Sequence, residues 1–70
     1  MNKEIWDGKW DQIKGEIRSS WAELTDDDLE QVKGDSQALF GIIKERYGEK
    51  KEALKEDYDK WMDSLKEKLK

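Results

Sequence analysis

Apolar side chains recur at helical spacing along the first third of the chain. Successive apolar positions are three or four residues apart, and at about 100° per residue they fall within a stripe roughly 80° wide. The stripe consists of Trp6, Trp10, Ile13, Ile17, Trp21 and Leu24. This pattern predicts an amphipathic helix over residues 3–24 whose apolar face joins the core.

Small residues repeat on the opposite side of this predicted helix. Gly8, Gly15 and Ala22 are spaced seven residues apart and lie away from the apolar stripe. A glycine inside a helix costs about 1 kcal/mol relative to alanine. The two glycines therefore indicate either a tolerated cost with a mild bend, or close approach of a partner to this side.

The second predicted helix spans residues 26–33 and begins after Thr25, a typical N-cap residue. Asp28 stands three positions later, where a capping box places its acidic partner. Leu29 and Val32 then face inward, and Gly34 ends the helix. The acidic run 26–28 could instead bind a metal, but adjacent carboxylates diverge around a helix start, whereas calcium loops spread their oxygen ligands over about twelve residues. Capping is the favoured interpretation.

Two further helices are predicted over residues 36–47 and 50–68. Asp35 or Ser36 can cap the first of them, and Gly48 is a typical glycine just past a helix end. Arg46, in its last turn, complements the negative end of the helix dipole. The two apolar stripes are Leu39, Phe40, Ile43 and Tyr47, then Leu54, Tyr58, Trp61, Leu65 and Leu69.

Two residues of the third predicted helix lie off its apolar stripe. Ile42 is displaced by about 100° around the helix, so it either widens the buried face or forms a small exposed apolar spot. Gly41 lies on the opposite side, as the glycines of the first helix do. Together with these glycines, the two residues define a possible interaction face: Gly8, Gly15, Gly41 and Ile42.

Composition limits the ways in which 70 residues can be stabilised and can act. The chain has no cysteine and no histidine, which excludes disulfides, thiolate zinc sites and histidine-based catalysis. A chain of this size buries only about 60% of the surface that it exposes when unfolded. Four tryptophans supply large apolar area in compensation. We therefore predict one domain over residues 1–70, an all-α bundle of four to five short helices.

Charge narrows the function further. Acidic residues number 18 and basic residues 14, a net charge of −4, which disfavours generic nucleic-acid binding. No apolar run is long enough to span a bilayer, and we predict a soluble, cytoplasmic protein. The pairs Asp26 with Asp28 and Glu45 with Arg46 could serve catalysis only in a dry pocket, for which so small and polar a chain has little room. We therefore predict no catalytic, metal or cofactor-binding residues.

Particular residues carry a resemblance to a known family. They are Trp10, Gln12, Lys14, Gly15, Ile17, Trp21, the run 24–29, Gly34, Leu39, Gly41, Ile43 and the run 45–48. In these residues and their spacing the chain resembles, over about residues 2–62, the CsbD-like family of small bacterial stress-associated proteins. It departs from the family pattern at Ala22, Glu23, Ile42 and Glu49.

The resemblance implies two helical hairpins packed roughly crosswise and a role in the general stress response. It brings no catalytic residue or cofactor with it. We therefore predict a non-enzymatic stress-response protein that binds or protects other molecules. A nucleic-acid-binding helical module and a structural or oligomeric interaction domain, including a redesigned helical protein, are the alternatives. The expected partner is a protein, and the chain is expected to be a monomer or a weak homo-oligomer.

Overall fold

The computed structural model describes residues 3–48 and 52–69, and within these ranges every regular element is a helix. The five helices confirm the predicted all-α class. They are α1 (Lys3–Gly8), α2 (Trp10–Ser20), α3 (Asp26–Gly34), α4 (Ala38–Tyr47) and α5 (Leu54–Lys68). The closest packing is between α1 and α2, α3 and α4, and α4 and α5.

The prediction of one continuous helix over residues 3–24 is wrong, because this segment forms two helices, α1 and α2. It is interrupted at Lys9, whose backbone angles of −116° and 21° leave the helical region, and it ends at Ser20. Helical hydrogen bonds continue across the break, from Lys9 N–H to the Ile5 carbonyl and from Ile13 N–H to the Lys9 carbonyl, each 3.0 Å. The interruption is therefore a bend next to Gly8, where helix propensity is lowest.

The apolar stripes predict the core more accurately than they predict the helix ends. One continuous cluster of buried side chains draws on all five helices and on the α2–α3 connection. Its members are Trp6, Trp10, Ile13, Ile17, Trp21, Leu24, Leu29, Val32, Leu39, Ile42, Ile43, Leu54, Leu65 and Leu69. Every member except Ile42 either belongs to a predicted stripe or, as for Leu29 and Val32, was predicted to face inward. The partly buried Phe40, Tyr47, Tyr58, Trp61 and Met62 pack around the cluster.

Ile42 is 7% exposed and therefore lies in the core, so it does not form an exposed apolar spot. The reason is that α4 packs against both α3 and α5. A helix between two neighbours buries a wider face than a single stripe covers. Of the two alternatives for Ile42, widening of the buried face is the one that the structure shows.

The ends of α3 and α4 are partly as predicted. Thr25 caps α3, as predicted. The helix α4 begins at Ala38, two residues later than predicted, and its N-cap is Gln37, so the predicted cap at Asp35 or Ser36 is wrong. The Asp35 carboxylate instead accepts a hydrogen bond of 3.0 Å from Gln37 N–H, ahead of the helix. Gly48 is not in the left-handed conformation that its position suggested, since its angles are −55° and −33°. Its backbone N–H donates to the Lys44 carbonyl at 2.7 Å, and a Cβ at Gly48 would meet that same oxygen. Glycine at this position provides space. The last helix, predicted to begin at residue 50, begins at Leu54, since residues 52 and 53 form a turn; residues 50 and 51 lie outside the described residues.

Candidate functional site

The three predicted interaction-face glycines are exposed, and the fold gives no steric reason for them. A Cβ added at Gly8, Gly15 or Gly41 would have no atom of another part of the described chain within 4 Å. Alanine would therefore fit at each position. The glycines lower helix stability without making room for the protein's own packing. Their use by a partner remains a prediction, and it no longer involves the buried Ile42.

The acidic turn at the start of α3 forms a complete capping box. The Thr25 hydroxyl accepts a hydrogen bond from Asp28 N–H at 3.1 Å, and the Asp28 carboxylate accepts one from Thr25 N–H at 3.0 Å. Two N–H groups at the helix start are thereby satisfied, and the carboxylate lies at the positive end of the helix dipole. The capping interpretation of this turn is confirmed.

Asp28 also binds Arg46 at the far end of α4, a contact that the sequence analysis missed. Arg46 Nε lies 3.0 Å from Asp28 Oδ2, and its second terminal nitrogen lies 3.0 Å from Oδ1. The pKa of Asp28 is lowered below its usual value. The hydrogen bonds from Arg46 are the largest cause and the hydrogen bond from Thr25 N–H is the next, and together they outweigh the opposing effect of burial. The predicted dipole role of Arg46 is thus secondary to a bidentate ion pair that joins α3 to α4.

The two residue pairs considered for catalysis, Asp26 with Asp28 and Glu45 with Arg46, do not converge on a common site. Asp26 is paired with Arg18 of α2, whereas Asp28 faces Arg46. The Arg46 guanidinium donates its hydrogen bonds to Asp28, so Arg46 and Glu45 do not form a common catalytic site. Among the described residues, no three acidic side chains are arranged to hold a metal ion.

Aromatic rings of α4, α5 and the residue after α2 form a second prominent feature. We call these four rings, in their spatial order Tyr47, Trp21, Trp61 and Tyr58, the aromatic row. Neighbouring ring centroids in the row are 5.4, 5.9 and 6.1 Å apart. Phe40 lies beyond Tyr58 at 4.8 Å, and the Lys55 ammonium lies 5.4 Å from the Phe40 ring centre. Trp21 is 3% exposed, whereas the other three rings of the row are half-buried.

The C-terminal turn of α5 is attached to α2 and to the bend before it. Lys9 Nζ donates to the Leu69 carbonyl at 2.8 Å, and Lys68 Nζ lies 2.8 Å from the Glu16 carboxylate. Lys9 thus supplies a partner for a carbonyl that has no partner within its own helix. At the other side of the bend, Trp6 Nε1 donates to the Val32 carbonyl at 3.1 Å. The bend at Lys9 therefore lies between two long-range attachments.

The surface depressions are shallow, and their linings differ in polarity: the first described here is mainly polar and the second mainly apolar. One of about 410 Å³ lies beside Gly8 and is lined by Asp7, Asp11 and Lys33 among others. Another, of about 350 Å³, lies between Phe40, Lys44 and Leu54. Acids and lysines supply the charged part of both linings. Within the described ranges, no helix has the length and apolar character that crossing a bilayer requires.

Comparison with known proteins assigns the family. The CsbD-like family model matches residues 4–56, about three quarters of the chain. A UPF0337 protein of Pectobacterium atrosepticum is 44% identical over 66 residues, which cover 94% of this chain and 96% of the relative. A UPF0337 protein of Bordetella pertussis is 41% identical over 63 residues, covering 90% and 96%. The UPF0337 protein YjbJ of Escherichia coli O6:H1 is 41% identical over 61 residues, covering 87% and 88%. No solved structure gives a significant match. The chain therefore belongs to the CsbD-like family of bacterial stress-response proteins.

Proposed function

We propose that this protein acts in the stress response without catalysis, by binding or shielding other molecules in the bacterial cytoplasm. The observation that carries the proposal is the use of Asp28, the one charged residue that is buried among those the structure describes. Both of its carboxylate oxygens accept hydrogen bonds from Arg46, and one also accepts from Thr25. Because its bonding capacity serves the fold, Asp28 is poorly placed to act on a substrate.

The exposed surface supports binding. Most charged side chains lie in water on helix faces, and several form exposed pairs within one helix, such as Lys55 with Asp59 and Lys60 with Glu56. Such pairs contribute little to stability, about 0.2–0.5 kcal/mol each, so they can be exchanged for contacts with another molecule at small cost. We include the exposed glycines Gly8, Gly15 and Gly41 in the binding face, since backbone there is open to close approach.

The proposal is tested by protection of a second protein. A heat-sensitive enzyme is warmed with increasing amounts of this protein, and its aggregation is followed by light scattering. We expect aggregation to fall in proportion to the amount added, whereas an equal mass of an unrelated small helical protein has little effect. In parallel, a bacterial strain deleted for its own CsbD-like gene is complemented with this chain and exposed to heat or high salt. Absence of protection in both experiments contradicts the proposal.

The glycine face has a separate test that does not endanger folding. Gly15→Ala and Gly41→Ala place a methyl group where it meets nothing, so each is expected to raise the free energy of unfolding by about 0.5–1 kcal/mol. Urea denaturation followed by circular dichroism measures this change.

If a partner uses these backbones, the same two variants bind it more weakly although they are more stable. The measurement is capture from lysates of stressed bacteria, with wild type and the double variant as matched baits. Equal capture of the same proteins by both baits places the binding face elsewhere. A mass that rises with concentration in static light scattering, and that the double variant abolishes, identifies the partner as a second copy of the chain.

A further inference from the structure

The order of rings in the aromatic row has a chemical meaning beyond packing. The two inner rings, Trp21 and Trp61, are indoles, and the two outer rings, Tyr47 and Tyr58, are phenols. Each ring lies within 6.1 Å of the next, measured between centroids. Indoles and phenols are the side chains that lose one electron most readily in a chain without cysteine or histidine.

Accessibility singles out one ring as the point of entry. Three of the four tryptophans are almost fully buried, Trp6 at 2%, Trp10 at 7% and Trp21 at 3% exposed. Trp61 is only half-buried. A small oxidising radical in solution therefore meets Trp61 before the other indoles, and Trp61 contacts both Trp21 and Tyr58.

The phenols at the two ends are suited to receive the oxidising equivalent. Burial, and after it the nearby charge of Asp59, raises the pKa of Tyr58 above its usual value. The Tyr58 phenol therefore keeps its proton at neutral pH. Such a phenol gives up an electron and a proton together, and it then reduces a neutral indolyl radical. Both Tyr58 and Tyr47 are half-buried, so the released proton can reach water.

We propose that the aromatic row conducts one-electron oxidation from Trp61 to Tyr58 directly and to Tyr47 through Trp21, and so lets the protein quench oxidising radicals. A one-electron inorganic oxidant takes an electron from Trp61 and becomes its anion, while the indole N–H proton passes to water. A tyrosine then gives one electron to the indolyl radical and its phenol proton to solvent, and the indole nitrogen recovers a proton. A one-electron reductant of the ascorbate class returns an electron and a proton to the phenoxyl radical. The protein ends unchanged, and this activity does not depend on the binding proposed above.

Pulse radiolysis with azide radicals tests the proposal on the wild-type protein. We expect the absorption of the indolyl radical to decay as that of the phenoxyl radical grows, with one shared first-order rate. That rate should not change with protein concentration, because the transfer is within one molecule. A rate that rises in proportion to protein concentration, or indolyl decay without phenoxyl growth, overturns the proposal.

Variants that keep the rings give a second, independent readout. Tyr47→Phe with Tyr58→Phe removes both hydroxyls, and we expect the indolyl radical to live longer by an order of magnitude or more. Tyr58→Phe alone should retain phenoxyl growth through Trp21 and Tyr47, at a lower rate. Phe40→Leu is the matched control, since it changes packing against Tyr58 without removing an electron donor, and it should leave the rate unchanged. An indolyl lifetime in the double variant equal to that of wild type also overturns the proposal.

Discussion

Replacement of Trp21 by alanine is expected to lower the free energy of unfolding by about 3–5 kcal/mol, the usual cost of truncating a buried aromatic. Trp21 is 3% exposed and lies between Tyr47 and Trp61, so its loss opens a cavity where α2, α4 and α5 meet. Domains of this kind have only about 5–15 kcal/mol of stability in total. Urea denaturation followed by far-ultraviolet circular dichroism measures the change.

Two controls separate the loss of core packing from a general effect of mutation. Trp21→Phe keeps a ring in place and should lose clearly less stability than Trp21→Ala. Ile5→Ala removes an apolar side chain that is 40% exposed, and we expect a change within about 0.5 kcal/mol. If Trp21→Ala is as mild as Ile5→Ala, Trp21 does not belong to the core in solution.

Asp28→Ala is expected to lower the free energy of unfolding by about 2 kcal/mol. It removes the acceptor for Thr25 N–H and leaves the Arg46 guanidinium without its carboxylate. Hydrogen bonds to a charged group are worth about 1.5–3 kcal/mol, and the estimate lies low in this range because the Arg46 side chain is 41% exposed and partly screened by water. Thermal and urea unfolding check the value.

A double-mutant cycle tests whether Asp28 and Arg46 are coupled. The double variant with Asp28→Ala and Arg46→Ala should lose less stability than the sum of the two single losses, and additive losses contradict the coupling.

The same carboxylate gives the protein a defined acid sensitivity. A carboxyl group whose pKa is lower in the folded than in the unfolded state stabilises the fold above its unfolded pKa of about 3.9. That stability is lost as the pH falls through the folded value. Wild type should therefore lose more stability below about pH 4 than Asp28→Asn, which has no charge to lose at this position. If the urea midpoints of both proteins fall by the same amount across this pH range, the lowered pKa of Asp28 is contradicted.

The buried set was predictable because helical periodicity determines which side chains face the core, even where the backbone is interrupted. Trp6 and Trp10 belong to one stripe, although they lie on either side of the bend at Lys9. The bend beside Gly8 is one of the two alternatives that the glycine spacing left open, and it lies between two contacts distant in sequence, Trp6 with Val32 and Lys9 with Leu69. No local pattern predicts such contacts.

The candidate site was predictable only in part. The capping box was evident because its two members are three residues apart. The Asp28–Arg46 pair joins residues 18 positions apart, and a lysine or arginine in a last helical turn has an adequate local explanation in the dipole. Exposure of Gly15 and Gly41 followed from the helical wheel, but a binding partner lies outside the chain and leaves no pattern in its periodicity. The aromatic row required the relative placement of α4, α5 and the residue that follows α2.

The attachment of Leu69 to Lys9 has a consequence for the order of folding events. Most close packing joins helices that follow one another along the chain, whereas this contact spans 60 positions. Closing so long a segment costs more chain entropy than pairing neighbouring helices does, and that cost falls once the local pairs have formed. The last turn of α5 is therefore expected to dock late, and its side chains to govern how fast the native state opens more than how fast it forms.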